Sequence, residues 1–358
     1  MPLPSDLDAR SAAFARGERM TTAEVRDLVD GVLAGQVDLD AFGRWLVALA
    51  DAGETAAEIA GVAAALRGRM LPLSAGLAAD ALVADTCGTG GDGSGSFNIS
   101  TAAAIVVAAA GQPVAKHGNR AVSSRTGSAD VLVELGVNID AAPNAVARCL
   151  RETGLCFCLA PAHHPAMAKV GPLRRSLGRP TVFNLVGPLC NPAGASVQVI
   201  GVGRPAAREP IAEAARLLGA RRAVVVSGFL ADRRAGFASR PFDEVSLFGP
   251  TEVIDVATDG VRRFRWTPED FGLATLPAER LEDLTVAGPA ESAAAIRGVL
   301  AGEAGPRRDV VVLNAAAVLV AAGRAADPGE AARLAERAID SRDAARLLAR
   351  WAERSHAP

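Results

Sequence analysis

The chain has 358 residues, half of them apolar, a formal charge of −2, no Tyr and few other aromatics. That length supports a large core and two domains, while the near-balanced charge, without a basic excess or a charge block, counts against nucleic-acid binding and a charged tail. Scarce aromatics also count against a stacking platform for bases. The cysteines Cys87, Cys149, Cys156, Cys158 and Cys190 are odd in number and follow no secretory leader, so they read as reduced thiols of a cytoplasmic protein. Cys156-Phe157-Cys158 is too tight for a usual zinc pair. The acidic N-terminal residues Asp6, Asp8 and Glu18 do not fit a transit peptide. The longest apolar runs, 102–111 and 310–323, are too short to span a bilayer.

Residues 21–66 read as helices. Thr21 with Glu24, and Thr55 with Glu58, have capping-box spacing. Leu28, Val32, Leu46, Leu49, Ile59, Val62 and Leu66 supply apolar faces, giving a small helical support bundle. The apolar run 81–84 reads as a buried strand. Gly88, Gly90, Gly91, Gly93 and Gly95 then crowd into eight positions, and Asn98, Ser100 and Thr101 open a helix rich in Ala, Val and Ile. Glycines let backbone N–H groups approach a ligand, and a helix start carries free donors and partial positive charge. Strand, glycine loop and helix together predict an anion site, with phosphate the usual anion.

Residues 88–93 also match G-x-G-x-x-G, but the dinucleotide reading fails on context. It needs an acidic residue about 20 residues on. Here the next strand, 113–115, runs into the basic Lys116-His117-Gly118-Asn119-Arg120, and Arg125 follows. Without G-K-[ST] the loop is not a Walker loop either. Ser128 reads as the N-cap of a helix over 129–135. Residues 154–159, 197–202, 223–226 and 252–256 read as strands, with a helix over 210–218, and alternation of this kind predicts a mostly parallel sheet flanked by helices. Residues 310–322 suit a buried helix interrupted by Asn314, and 328–351 read as further helices.

GTGGD, FNIST, KHGNR and GSADVL at these spacings resemble the anthranilate phosphoribosyltransferases of tryptophan biosynthesis, and the resemblance runs from about residue 21 to the C-terminus. It implies an α/β fold: a small N-terminal helical domain, residues 1–80 joined by about 163–190, and a larger phosphoribosyl-binding domain with a mostly parallel sheet, 81–162 and 191–358. It implies transfer of the phosphoribosyl group of phosphoribosyl pyrophosphate (PRPP) to the amine of anthranilate, with Mg2+, in a homodimer joined through the helical domain. No nucleic-acid or membrane partner is expected. Gly88, Gly91 and Asp92 would hold the pyrophosphate region, beside Ser96. Asn98, Ile99, Ser100 and Thr101 would present a helix start to phosphate, with Ser100 also a magnesium ligand. Lys116 and the loop His117, Gly118, Asn119, Arg120, Ala121, Val122, Ser123 and Ser124 would orient the donor, and Ser128 would line the same pocket. Asn119 and Arg174 match the anthranilate contacts. Arg175 is adjacent, but motif spacing favours Arg174. His117 is a candidate hydrogen-bond partner or base, and no clear acid or base stands out beyond it. Asp243-Glu244 matches the family's acidic pair for magnesium.

The chain departs from the family pattern at His163, where Tyr is usual, at Ser96, where Thr is usual, and in a longer stretch over 227–242 carrying Asp232, Arg233, Arg234 and Arg240. A pyrimidine nucleoside phosphorylase shares the architecture, but the chain resembles KHGNR rather than KHSNR. A non-enzymatic, nucleic-acid-binding relative would be basic, which this chain is not.

Overall fold

Both capping boxes form. The Thr21 and Thr55 hydroxyls accept from Glu24 N–H and Glu58 N–H, and each glutamate accepts in return from the threonine N–H, starting α2 (Thr22–Ala34) and α4 (Ala56–Arg69). Asp38 caps α3 (Leu39–Ala52), and α1 (Leu7–Phe14) precedes the stretch read as helical. The computed structural model describes residues 7–76, 78, 81–121, 125–230 and 241–357. All seven apolar residues assigned to the bundle faces are buried, around Phe42 stacked on Trp45 with centroids 5.5 Å apart.

The α/β part runs β1 (Ala84–Gly88), α5 (Ile99–Ala109), β2 (Val114–Gly118), α6 (Ser128–Glu134), α7 (Pro143–Thr153), β3 (Leu155–Leu159), α8 (Ala160–His163), α9 (Gly171–Leu177), β4 (Val197–Gly201), α10 (Arg208–Leu217) and β5 (Arg222–Phe229). It continues through β6 (Pro241–Phe242), β7 (Thr251–Ala257), β8 (Gly260–Trp266), α11 (Pro289–Leu300), α12 (Pro306–Ala321), α13 (Pro328–Asp340) and α14 (Asp343–His356). The sheet order is β3-β2-β1-β4-β5-β7-β8, with β6 on β5. The first five strands are parallel; β6, β7 and β8 are antiparallel. Strand order reverses between β1 and β4, and ligands of such sheets bind outside the carboxyl ends at that switch point.

Alternation along the strands builds two cores. Val199, Val224 and Val226 pack with α5 and α12, whereas Ile200, Val225, Ile254 and Val256 share a core with α10 and the bundle. The segment after α8 packs on the bundle too, Phe183 meeting Phe42 edge-on at 6.3 Å.

Three boundaries differ from expectation. The first strand is Ala84–Gly88 rather than 81–84, because buried Asp85 is satisfied inside the sheet by Asn191 Nδ2 at 2.8 Å and His117 N–H at 3.3 Å. The second strand extends past 115 to Gly118, so Lys116 and His117 are strand residues, both buried. Ser128 is the first residue of α6, not its cap. Gly127 holds the cap position and its N–H donates to Asp130 at 3.0 Å. The antiparallel strand β8, whose side chains are mostly exposed, has too little apolar patterning to stand out in sequence.

Candidate active site

The carboxyl ends of β1, β4 and β5 carry Gly88, Gly201 and Gly228. Gly88 and Gly201 are register partners. The absence of side chains there lets the Asp243-Glu244 segment lie directly across the strand ends. A Cβ on Gly88 or Gly201 would run into Asp243, and one on Gly228 would lie 2.5 Å from the Glu244 carbonyl oxygen. The acidic pair thereby reaches the glycine loop. Gly90 N–H donates to Asp243 Oδ2 at 2.8 Å, and Asp92 accepts from Asp243 N–H at 3.4 Å and from Ser94 N–H at 2.9 Å. Gly90 and Gly91 have φ of +71° and +85°, the left-handed region that glycine enters without strain. A Cβ on either would meet no other group within 4 Å, so the loop's face there is open.

Glu244 reaches the start of α5, where Ser100 N–H donates to its Oε1 at 3.2 Å. Lys116 is buried, with Nζ donating to Thr86 O at 2.6 Å and Ser100 Oγ at 3.2 Å. Burial pushes the Glu244 carboxyl up to about 8, with Lys116 opposing the shift and Asp92 adding to it. Burial, then Asp92 and Glu244, drive Asp243 well above the ordinary carboxylate range. Two half-buried acids, each disfavoured in its charged form, would gain from a cation between them. Their oxygens and the Ser100 hydroxyl are hard donors, which suit Mg2+. Among the described residues no three His, Cys, Asp or Glu side chains form a ready metal cage.

Beside this donor side, His117 Nδ1 lies 3.2 Å from Gly187 O, which can only accept, so Nδ1 carries the hydrogen. Nε2 is then an acceptor, buried and without a partner among the described residues. Burial, reinforced by His164 5.3 Å away, lowers the imidazole to about 3, so it is neutral at pH 7. Arg174, on α9, lies with Cζ 5.2 Å from the Phe183 ring centroid and is partly buried, whereas Arg175 is exposed. His163 Nδ1 meets Leu71 O at 2.8 Å.

Several expected site residues are engaged elsewhere. Arg120 pairs with Asp130 at 3.4 Å, and Arg125 donates to Val286 O at 3.1 Å, so of the basic cluster only Lys116 bonds Ser100. Asn98 makes no side-chain cap bond; its Oδ1 accepts from Thr126 Oγ1 at 2.9 Å and Ser292 Oγ at 2.7 Å, tying α5 to α11. Ile99 and Thr101 are buried, and Thr101 Oγ1 has no partner among the described residues. Ser96 bonds Ser94 within the glycine loop, and Ala121 N–H donates to Asp130. Asn119 Oδ1 accepts from Arg120 N–H, and Ser128 Oγ donates to Asn119 O at 3.3 Å, over Gly118. Val122, Ser123, Ser124 and residues 231–240 of the longer stretch lie outside the described residues. β5 and β6 flank that stretch, with Gly228 paired to Phe242 and Phe229 to Pro241.

Sequence reasoning did not assign Gly201, Gly228, Asp85 or Asn191 to this region. The G-V-G after a strand run and the Asn191-Pro192 step were the available signals.

Residues 12–70 match the helical bundle domain of the glycosyl transferase family and residues 80–345 match its a/b domain. An anthranilate phosphoribosyltransferase of Rhodopseudomonas palustris (strain BisA53) is 46% identical over 346 residues, covering 96% of this chain and 97% of its own. The crystal structure of the anthranilate phosphoribosyltransferase of Thermus thermophilus superposes with a TM-score of 0.85 at 42% identity, over 97% of this chain and 99% of that one. The Saccharomyces cerevisiae enzyme in complex with PRPP and Mg superposes with a TM-score of 0.83 at 26% identity, over 97% and 98% of the two chains. The same yeast enzyme has been solved with 4-fluoroanthranilate. With its glycine loop, acidic pair and buried lysine gathered at the switch point of the sheet, the chain belongs to the anthranilate phosphoribosyltransferase family.

Proposed function

We infer that this protein transfers the phosphoribosyl group of PRPP to the amine of anthranilate, releasing pyrophosphate, in tryptophan biosynthesis. The observation that carries the assignment is the Asp243-Glu244 pair seated on Gly88 and Gly201 against the glycine loop, a short step from the buried Lys116 and Ser100.

The donor binds across this end of the sheet. Backbone groups of the loop around Gly91 and Asp92 face the pyrophosphate, and the Lys116 ammonium adds positive charge beside it. Asp243, Glu244 and the Ser100 hydroxyl would hold Mg2+, which when bound neutralises the departing pyrophosphate. The bond from C1 to the pyrophosphate oxygen breaks, that oxygen keeps the electron pair, and the amine nitrogen of anthranilate closes on C1 through an oxocarbenium-like state. Arg174 would take the anthranilate carboxylate with its planar fork, and Asn119 would lie along the ring. His117, neutral with an unpartnered Nε2, fits a hydrogen-bond acceptor for the amine. Its low basicity argues against storing a full proton, so catalysis rests on positioning and electrostatics. The amine proton leaves after bond formation, to pyrophosphate oxygen or solvent. Gly118 and Ser128 shape the wall between the two substrates. The loop 119–124, Ser96 and the start of α5 complete the donor site in this reading, although in this structure Ser100 N–H is taken by Glu244 and Asn98 N–H by Ser292.

We also divide the chain into a helical domain, 1–80 with 163–190, and an α/β domain formed by the remainder. The family resemblance supports a cytoplasmic homodimer joined through α1 to α4. No helix among the described residues is long and apolar enough to cross a membrane.

Loss of anthranilate fluorescence on mixing with PRPP and Mg2+ tests the assignment. Turnover should require all three. Phosphorolysis of a pyrimidine nucleoside without anthranilate turnover would replace it with the phosphorylase reading, and tight nucleic-acid binding with no turnover would favour a non-enzymatic relative.

A further inference from the structure

The Asp243-Glu244 segment is neither helix nor strand, so something outside it must hold its backbone. Val245, the next residue, is buried, and both its backbone groups go to one side chain on α12, 69 residues away. Its N–H donates to Asn314 Oδ1 at 2.9 Å, and its C=O accepts from Asn314 Nδ2 at 3.1 Å. Nδ2 also donates to Val310 O at 2.9 Å, which fixes the amide's orientation. Asn314 is 2% exposed on a helix whose neighbours from Val310 to Leu319 are all buried apolar residues. A lone amide there is costly unless every polar atom is satisfied, and here every heavy atom of the amide is. Ser246 is held in turn by Thr251 Oγ1 and Phe229 O, at 2.9 and 2.8 Å. The segment is thus clamped from behind by α12 and seated in front on Gly88, Gly201 and Gly228.

We propose that Asn314 is a positioning residue for the donor site: by clamping both backbone groups of Val245 it sets where the Asp243 and Glu244 carboxylates stand, and thereby the affinity for the divalent cation and the pyrophosphate. The inference rests on the reading of Asp243 and Glu244 as metal ligands. Removing the amide leaves two buried backbone groups unpaired, and the segment must shift to satisfy them. Carboxylate ligands misplaced by an ångström bind a small, geometrically strict ion poorly.

Asn314→Leu, of the same branched shape, removes all three bonds; Asn314→Asp keeps an acceptor for Val245 N–H. Val318→Ala, one turn along α12, is the control: it loosens the same helix and removes none of the hydrogen bonds that hold Val245. Calorimetry with Mn2+ plus PRPP, and steady-state kinetics with Mg2+, PRPP and anthranilate each varied, are the measurements. In Asn314→Leu the metal dissociation and activation constants should rise about ten- to a hundred-fold, as is typical when a supporting partner of a ligand is lost. The anthranilate KM should stay within about two-fold, and Asn314→Asp should fall between Leu and wild type. Val318→Ala should lower the melting temperature and leave the metal constants unchanged. Equal metal constants in Asn314→Leu and wild type, equal effects from Val318→Ala, or failure of both Asn314 variants to fold would overturn the proposal. Absence of metal-dependent turnover in the wild type would instead overturn the functional reading on which it rests.

Discussion

A methyl group on Gly88 would lie 2.5 Å from Asp243 Oδ2 and 3.1 Å from its Cγ. Gly88 is not among the glycines with positive φ, so space, not backbone freedom, demands glycine here. Gly88→Ala should leave the strand formed, because the clash is with the movable end of a side chain. It should push the carboxylate off the glycine loop and raise the Mg2+ activation constant about ten-fold or more. A magnesium titration of the rate decides. An unaltered constant would mean that Asp243 is not a ligand in this position.

Glu244 sits where burial works against its charge. Its carboxylate is pushed to about 8 by burial, so the protein without metal holds an acid in a place that disfavours its charge. Glu244→Gln should therefore keep the bond from Ser100 N–H, raise the melting temperature of the metal-free protein, and abolish the further stabilisation that Mg2+ with PRPP confers on wild type. Thermal unfolding with and without Mg2+ and PRPP checks both. A variant that melts lower than wild type without metal, or one still stabilised by the added pair, contradicts this account.

The elements that carry local chemistry were legible in the sequence, and the partners they choose were not. Thr21 and Glu24 are three residues apart, so their capping box is written in the spacing. Asn314 stood out as a polar break in an apolar helix, yet nothing local says that Val245 is its partner. Arg120 and Arg125 sit beside Lys116 in the chain and read as one basic cluster. In the fold Asp130, held at the start of α6 by Ala121 and Gly127 N–H groups, captures Arg120, while Val286 O takes Arg125. Strand direction turned Lys116 alone toward Ser100 and Glu244. The first strand lies later than its apolar run for a related reason: Asp85 looks like a loop residue until Asn191 and His117 N–H satisfy it inside the sheet.

His117 gives the protein an acid-side weakness of predictable sign. Its folded value, about 3, is below the ordinary 6.5 chiefly because of burial, with His164, His163 and Lys116 also opposing the charged form and Gly187 O favouring it. The unfolded chain therefore takes the proton first. The stability is intact above pH 6.5 and is lost as pH falls from there toward 3. The loss assignable to this group is about 2 kcal/mol at pH 5. In urea unfolding, the drop in stability between pH 7 and pH 5 should be about that much smaller in His117→Gln than in wild type. Equal drops would show that His117 is solvated or already charged in the folded protein.

Arg174 and Arg175 are adjacent on α9 but differ in surroundings. Arg174 is partly buried with its guanidinium over Phe183, and burial lowers its pKa, whereas Arg175 is exposed. A guanidinium held by an aromatic face, with no carboxylate partner among the described residues, fits a clamp for the acceptor's carboxylate. Arg174→Ala should raise the anthranilate KM about ten- to a hundred-fold, the loss expected for one charged hydrogen-bonding partner, and leave the PRPP KM and the magnesium response near wild type. Arg174→Lys should restore only part, since an ammonium lacks the planar fork. Arg175→Ala should behave as wild type. Steady-state kinetics with each substrate varied in turn decides among the alternatives. An acceptor defect confined to Arg175→Ala would move the clamp by one position along α9. Weakening of PRPP in both variants would assign the segment to the donor and leave Asn119 and His163 as the residues to test for the acceptor.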